Sequence, residues 1–266
     1  MNLRNSLPIL MALVFAVPAM ALDTMVPSLP YRPPTQDKVL AGFMQASLTN
    51  KALTAAQRSA VLKEITAAEK SGDADQAITQ ALIANYPDFG KALANLADEK
   101  LDKAVPALTK MAQSKDAYLA AHAEYYLARA YFMEEKFEEA IPLLAKLAGK
   151  DKGHMTMHAG EALFYQGICH NNLIDREDAM QCLYTFIEQN PNSSERLLIG
   201  ARHMLDELAL LEDGSLFDVQ GRMDFSRRHL DLEWSGKPTK TQQTTIITML
   251  DKLIEEAEEK ENSGGS

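Results

Sequence analysis

The stretch AAHAEYYLARAYFMEEKFEEAIPLLAKL, Ala120 to Leu147, carries apolar and small residues at helical spacing: Leu127, Ala128, Tyr131, Phe137, Ala140 and Leu144. Two antiparallel helices pack closely only where small side chains sit at their crossing, and an aromatic ring then fills the space beside it. Ala128 and Ala140 supply the small residues and Tyr131 supplies the aromatic. The stretch predicts a helical hairpin.

The outline returns in EALFYQGICHNNLIDREDAMQCLYTFIEQNP, Glu161 to Pro191, where Ala179 follows Ala140 by 39 residues. Both stretches resemble the tetratricopeptide repeat, which has a small residue at its eighth position (Ala128, Gly167), an aromatic at its eleventh (Tyr131), alanine at its twentieth (Ala140, Ala179) and proline near its end (Pro191). His170 stands where the second copy should carry the aromatic. The interval exceeds the usual repeat of about 34, which places an insertion of about five residues in the link GKDKGHMTMH, Gly149 to His158.

The resemblance implies an all-α fold, a TPR-like α-solenoid of stacked antiparallel helix pairs. It covers 116–191 as two clear units. Residues 37–115 hold degenerate hairpins, Ala55–Lys70 with Ala74–Asn85, closed by Tyr86 and Pro87, then Phe89–Leu96 with Leu101–Gln113. Residues 192–236 supply further helices, where Ser194–Leu211 and Ser215–Leu230 across EDGS form a fifth pair without the repeat signature. Over 237–261 an amphipathic helix carries Ile246, Ile247, Leu250, Leu253, Ile254 and Ala257 on one stripe. Thr239 and Gln242 are spaced as a capping box for it, and the helix is expected to cap the solenoid. Its last stretch, DKLIEEAEEKE, has six acidic residues against two Lys, and 262–266 have flexible-tail composition. This tail is similar to those of uncharacterised exported repeat proteins from planctomycete-like bacteria.

At the other end, Arg4, the apolar run Leu7–Val17 and the small residues of Ala19-Met20-Ala21 have the three parts of a secretory signal peptide over 1–21. The run is shorter than the 18 or so apolar residues of a membrane span, and Pro8 and Pro18 interrupt it. The expected mature chain starts at Leu22 and lies in the periplasm or outside the cell. Residues 22–36 form a linker, and the four prolines of VPSLPYRPP, Val26 to Pro34, hold it extended as a spacer or a strap on the body.

Composition narrows the function. A formal charge of -10 over 266 residues leaves no basic excess to neutralise phosphates, which argues against nucleic acid as the partner. Two cysteines are too few for a disulfide framework or a four-cysteine zinc site. There is no nucleophile elbow, no phosphate-cradling glycine loop and no His-Glu-x-x-His pair, so neither a catalytic residue nor a cofactor is assigned. His154 and His158, with Met155 and Met157 between them, would suit copper if a helical turn set both imidazoles on one face, although polar His and gap-filling Met also suit an ordinary link. Cys169 and Cys182 stand at similar height in the two helices of their repeat. An oxidising compartment would permit a bridge, and buried free thiols are the alternative.

Two function classes follow. In one, the concave face of the solenoid, lined by the first helix of each pair, holds a segment of another envelope protein. The resemblance places His122, Tyr125, Arg129 and Phe132, then Glu161, Phe164, Ile168 and Asn171, on that face. The basic clamp with which some members of the family grip a terminal carboxylate is missing. In the other class, the protein takes part in cell-wall chemistry through a C-terminal site around Arg222, Arg227, Arg228, Asp231, Glu233 and Trp234. Those charges alternate in sign, as in an ion-paired helix.

Overall fold

Good helix formers dominate from Gln36 onward, and the chain becomes a succession of helices. The computed structural model describes residues 31–71 and 73–264. The expected signal peptide and linker residues 22–30 lie outside the described residues. Among those described, twelve α-helices and one 3-10 turn are present, and no strand. They are α1 (Gln36–Thr49), α2 (Ala55–Ser71), α3 (Ala74–Asn85), α4 (Pro87–Ala97), α5 (Leu101–Ala112), α6 (Ala117–Met133), α7 (Phe137–Ala148), the 3-10 turn Gly153–Met155, α8 (Ala159–Asn172), α9 (Arg176–Gln189), α10 (Glu195–Leu210), α11 (Leu216–Asp231) and α12 (Lys237–Gly264). From α2 to α10 each helix packs on the next, giving an all-α, TPR-like solenoid.

Hairpins recur with one backbone device. Glu99, Glu135 and Ile174 have φ of 56°, 56° and 62°, in the left-handed region, and each lies in the turn between paired helices. In each turn the next residue donates a long backbone hydrogen bond to the helix just ended: Lys100 to Asn95, Lys136 to Tyr131 and Asp175 to His170. This satisfies carbonyls that a helix end leaves orphaned and reverses the chain within three residues. The pair α4–α5 is therefore a full repeat. Pro106 in α5 and Pro142 in α7 occupy equivalent helical positions 36 residues apart, a sequence signal for this repeat beyond the alanine pattern.

Small residues at the crossings do what the sequence requires of them. Ala128, Ala140 and Ala179 are fully buried. A Cβ on Gly167 would come within 2.7 Å of the Leu183 side chain, so α8 and α9 touch at a distance only glycine allows. Around these crossings the core divides into three clusters along the stack: Val39, Phe43, Ile78, Phe89 and Leu108 near the start, Tyr125, Phe137, Leu144 and Cys169 in the middle, and Leu163, Leu183, Phe186 and Leu197 beyond. Cys169 and Cys182 are free and buried, and burial pushes both thiols up to about 12.

Two expectations about the C-terminal part need correction. The fifth pair is α11 with α12, not α10 with α11. Glu233, φ 60°, makes the same left-handed turn, with Trp234 donating to the His229 carbonyl, whereas α10 ends in extended backbone at Leu211. The segment EDGS has a left-handed residue at Gly214, φ 80°, but no long backbone hydrogen bond back into α10, and α11 leaves α10 and packs back towards α8. The capping box is the second. The helix starts at Lys237, and Pro238 in its first turn is pre-set for helical φ. The Thr239 hydroxyl instead donates to the Trp234 carbonyl at 2.6 Å, and Gln242 accepts from Arg222 at 2.7 Å. The α12 stripe is fully covered only near its start: Ile246 is buried, Leu250 and Leu253 are half-buried, and Ile247 and Ile254 are exposed. Of the linker, Tyr31 lies against Gly153, and its carbonyl accepts from Gln189 at 3.4 Å, as a strap would.

Candidate functional site

The first helices of the two clearest repeats, α6 and α8, bring most of the expected partner-facing residues together. Tyr125 donates a very short hydrogen bond to the Glu161 carboxylate, so the two repeats are joined by their side chains. Arg129 donates to the Tyr125 hydroxyl at 3.4 Å and lies 5.1 Å over the Tyr165 ring. Phe132 meets Tyr165 and Phe137 edge-on. Arg129, Phe132, Glu161, Ile168 and Asn171 are half-buried.

Three of the eight are interior residues. His122 and Tyr125 are buried, and Phe164 is only 9% exposed, packed on Phe186 and near Gly200 of α10. The expectation of an open groove overlooked the inserted link. In a regular repeat the chain would turn straight into the next helix; here Gly149–His158 folds over the start of α6 and lays the His158 ring flat on Tyr125, centroids 3.7 Å apart and planes 5° from parallel.

The expected pairing of His154 with His158 is also corrected. Gly153–Met155 is a 3-10 turn and Thr156 is extended, so no helical turn places the two imidazoles on one face. His158 turns inward to a polar cluster that sequence spacing could not reveal, because its members come from α3, α6 and the link. Its ring lies 5.7 Å from that of His122, edge-on, and its Nε2 is 3.2 Å from Asp75 Oδ1. Burial drives the His122 imidazole down to about 4, and burial with His122 and Arg129 nearby takes His158 well below its ordinary value. Burial and then the negative charges of Glu161 and Asp73 raise the Asp75 carboxyl to about 6. Burial, with Glu161 next to it, also raises the Tyr125 phenol. Both imidazoles are thus held neutral at neutral pH.

The C-terminal arginines all have carboxylate partners. Arg222 pairs with Asp218 at 2.8 Å, and Arg227 with Asp231 at 2.8 Å and Glu135 at 3.3 Å. Arg228 is buried and donates through both terminal nitrogens to Glu138 of α7, each at 2.8 Å. Trp234 meets the His229 ring edge-on. At the same end a groove of about 900 Å³ opens between the α8–α9 turn, α10 and α11, lined by Asn171, Ile174, Met204, Leu208, Leu211 and Phe217. Phe217, Leu216 and Leu210, all of which line it, are 76%, 67% and 81% exposed. Sequence reasoning missed it because the groove exists only where α11 parts from α10.

Residues 161–193 match the tetratricopeptide repeat family model. That match spans α8 and α9, the hairpin with the glycine crossing. No curated protein and no solved structure matches the chain. No described helix is long and apolar enough to cross a membrane.

Proposed function

We propose that this protein is an exported, non-catalytic scaffold of the cell envelope that holds a segment of another protein on its stacked helix pairs. A match to the tetratricopeptide repeat supports a protein-binding role, since stacked pairs present a long ridged surface rather than a closed pocket. The observation that carries the reading is the groove between the α8–α9 turn, α10 and α11. It joins Asn171, on the ridge that the repeat assigns to partners, to apolar side chains left in water. Large exposed apolar residues gathered around a concavity mark binding surfaces. Glu207, Glu212 and Asp224 on its rim favour a segment with apolar anchors and basic flanks.

The test is photocrosslinking in intact envelopes, with a crosslinking residue at Phe217 or Asn171 and a control at exposed Lys63 on α2. A discrete adduct from the first two positions and none from the third is expected. Phe217→Ala should weaken capture at least tenfold without changing the melting temperature. Equal adducts from all three positions, or undiminished capture by Phe217→Ala, would overturn the proposed surface.

A further inference from the structure

His122, His158 and Asp75 each place a ligand-type atom in one small volume. One such atom from each residue lies within 4.8 Å of the other two. Both imidazoles are over nine-tenths buried, His122 completely. Neither Nε2 has a hydrogen-bond partner, and neither has the buried Asp75 Oδ1. The 3.2 Å approach of His158 Nε2 to Asp75 Oδ1 is a contact without hydrogen-bond direction. Buried polar atoms are satisfied in nearly all folded proteins, and three orphans converging on one place call for a common partner.

The tautomer of His122 indicates which kind. Its Nδ1 is 2.9 Å from the Tyr118 carbonyl. A carbonyl only accepts, so Nδ1 carries the proton and Nε2 presents a bare lone pair to the cluster. Orientation of a ligating imidazole by a backbone carbonyl on its other nitrogen is the usual outer support of a metal site. His158 is held in place by its stack on Tyr125. Glu161 Oε2 lies 3.9 Å from His158 Nδ1 and adds negative charge.

We propose that Asp75, His122 and His158 bind a divalent transition-metal ion, zinc by preference, which pins α3 and α6 to the inserted link. Two imidazole nitrogens and one carboxylate oxygen are a borderline donor set that suits zinc better than magnesium or calcium. Donor atoms around a tetrahedral zinc lie about 3.3 Å apart, given bond lengths of about 2.0 to 2.1 Å. The His158–Asp75 spacing of 3.2 Å already fits. The Asp75 side chain is 42% exposed on its outer side, which provides the entry path. Three protein ligands leave a fourth position for water or for a donor from a partner. The second His-carboxylate group, His170 with Asp175 and Asp178, differs: His170 Nδ1 already has Asp175 at 3.0 Å as its partner, and Asp178 is exposed.

The experiment is titration of the chelator-stripped full chain with zinc by calorimetry, with cobalt absorption as a second readout. One zinc per chain is expected, with a rise in melting temperature. Cobalt should give the intense visible bands of a four-coordinate site. Asp75→Asn, on the exposed side of the cluster, should weaken zinc at least tenfold with an unchanged circular dichroism spectrum. His158→Phe, which keeps a ring on Tyr125, should do the same. His154→Ala and Asp178→Asn should bind as the wild type does. Absence of stoichiometric zinc, wild-type affinity in Asp75→Asn, or loss of zinc in Asp178→Asn or His154→Ala would each overturn the assignment, whatever the fate of His158→Phe.

Discussion

Gly167 and Glu99 show how single positions set the repeat geometry. At Gly167 the constraint is space, since any Cβ would collide with Leu183 and come within 3.3 Å of the Ala179 carbonyl. Gly167→Ala is expected to lower stability by about 1 to 3 kcal/mol, the usual range for overpacking a tight contact. At Glu99 the constraint is the backbone. The residue is exposed, its side chain has no packing role, and φ of 56° is unfavourable for a residue with a Cβ. Glu99→Gly should therefore raise stability by about 0.5 to 1 kcal/mol, the relieved left-handed strain exceeding the extra entropy of glycine in the unfolded chain. Thermal or urea denaturation of the two variants checks both signs. The sequence showed the first position directly, because a small residue was expected there. It did not show the second, because glutamate does not announce a left-handed turn.

Helices α11 and α12 form a hairpin that is recognisable from its turn and not from its residues. Ile246 is the buried apolar contact of the α12 stripe, while Ile254, two turns on, is 56% exposed. Ile246→Ala should cost about 2 to 4 kcal/mol, as for a buried large-to-small change. Ile254→Ala should change stability by less than about 0.5 kcal/mol. Denaturant midpoints of the two variants separate a helix docked along its whole stripe from one docked only at its start. The apolar period of α12 was legible because helical spacing is local. How far along the stripe the neighbour extends was not, because that depends on the length and direction of α11.

Across the whole molecule, Arg228 ties the returning α11 to the start of α7. Its guanidinium is buried, grips Glu138 at two points, donates to the Glu135 carbonyl at 2.8 Å and lies 5.0 Å over the Phe137 ring. His229 adds a contact to the same carboxylate at 2.9 Å. Burial alone would raise the Glu138 carboxyl, but the hydrogen bonds from Arg228 outweigh it and hold the group below its ordinary 4.5. A carboxylate with a depressed folded value contributes stability that is fully present above its unfolded value and is lost as pH falls through the folded one. The clasp should hold at neutral pH and weaken progressively below about 4.5. Glu138→Gln should remove most of that dependence, as well as lowering stability at pH 7, because it leaves the Arg228 charge buried with a weaker partner. Melting temperatures of wild type and Glu138→Gln between pH 7 and pH 3 test this, and parallel curves would show that the clasp does not contribute.

The helix pairs from α2 to α9, their small crossings at Ala128, Ala140, Gly167 and Ala179, and the amphipathic last helix were decided by the sequence alone. Each depends on residues within one hairpin, where helical period and side-chain volume suffice. Tertiary structure alone decided that His158 turns away from His154 to join His122 and Asp75, that Tyr125 is interior rather than groove, and that α11 pairs with α12 and clasps α7. The contacts of Tyr125 and of the clasp on α7 join residues from 36 to more than 90 positions apart. Their geometry follows from how an inserted link and a returning helix lie on surfaces built by other repeats, and no local pattern of residues encodes that.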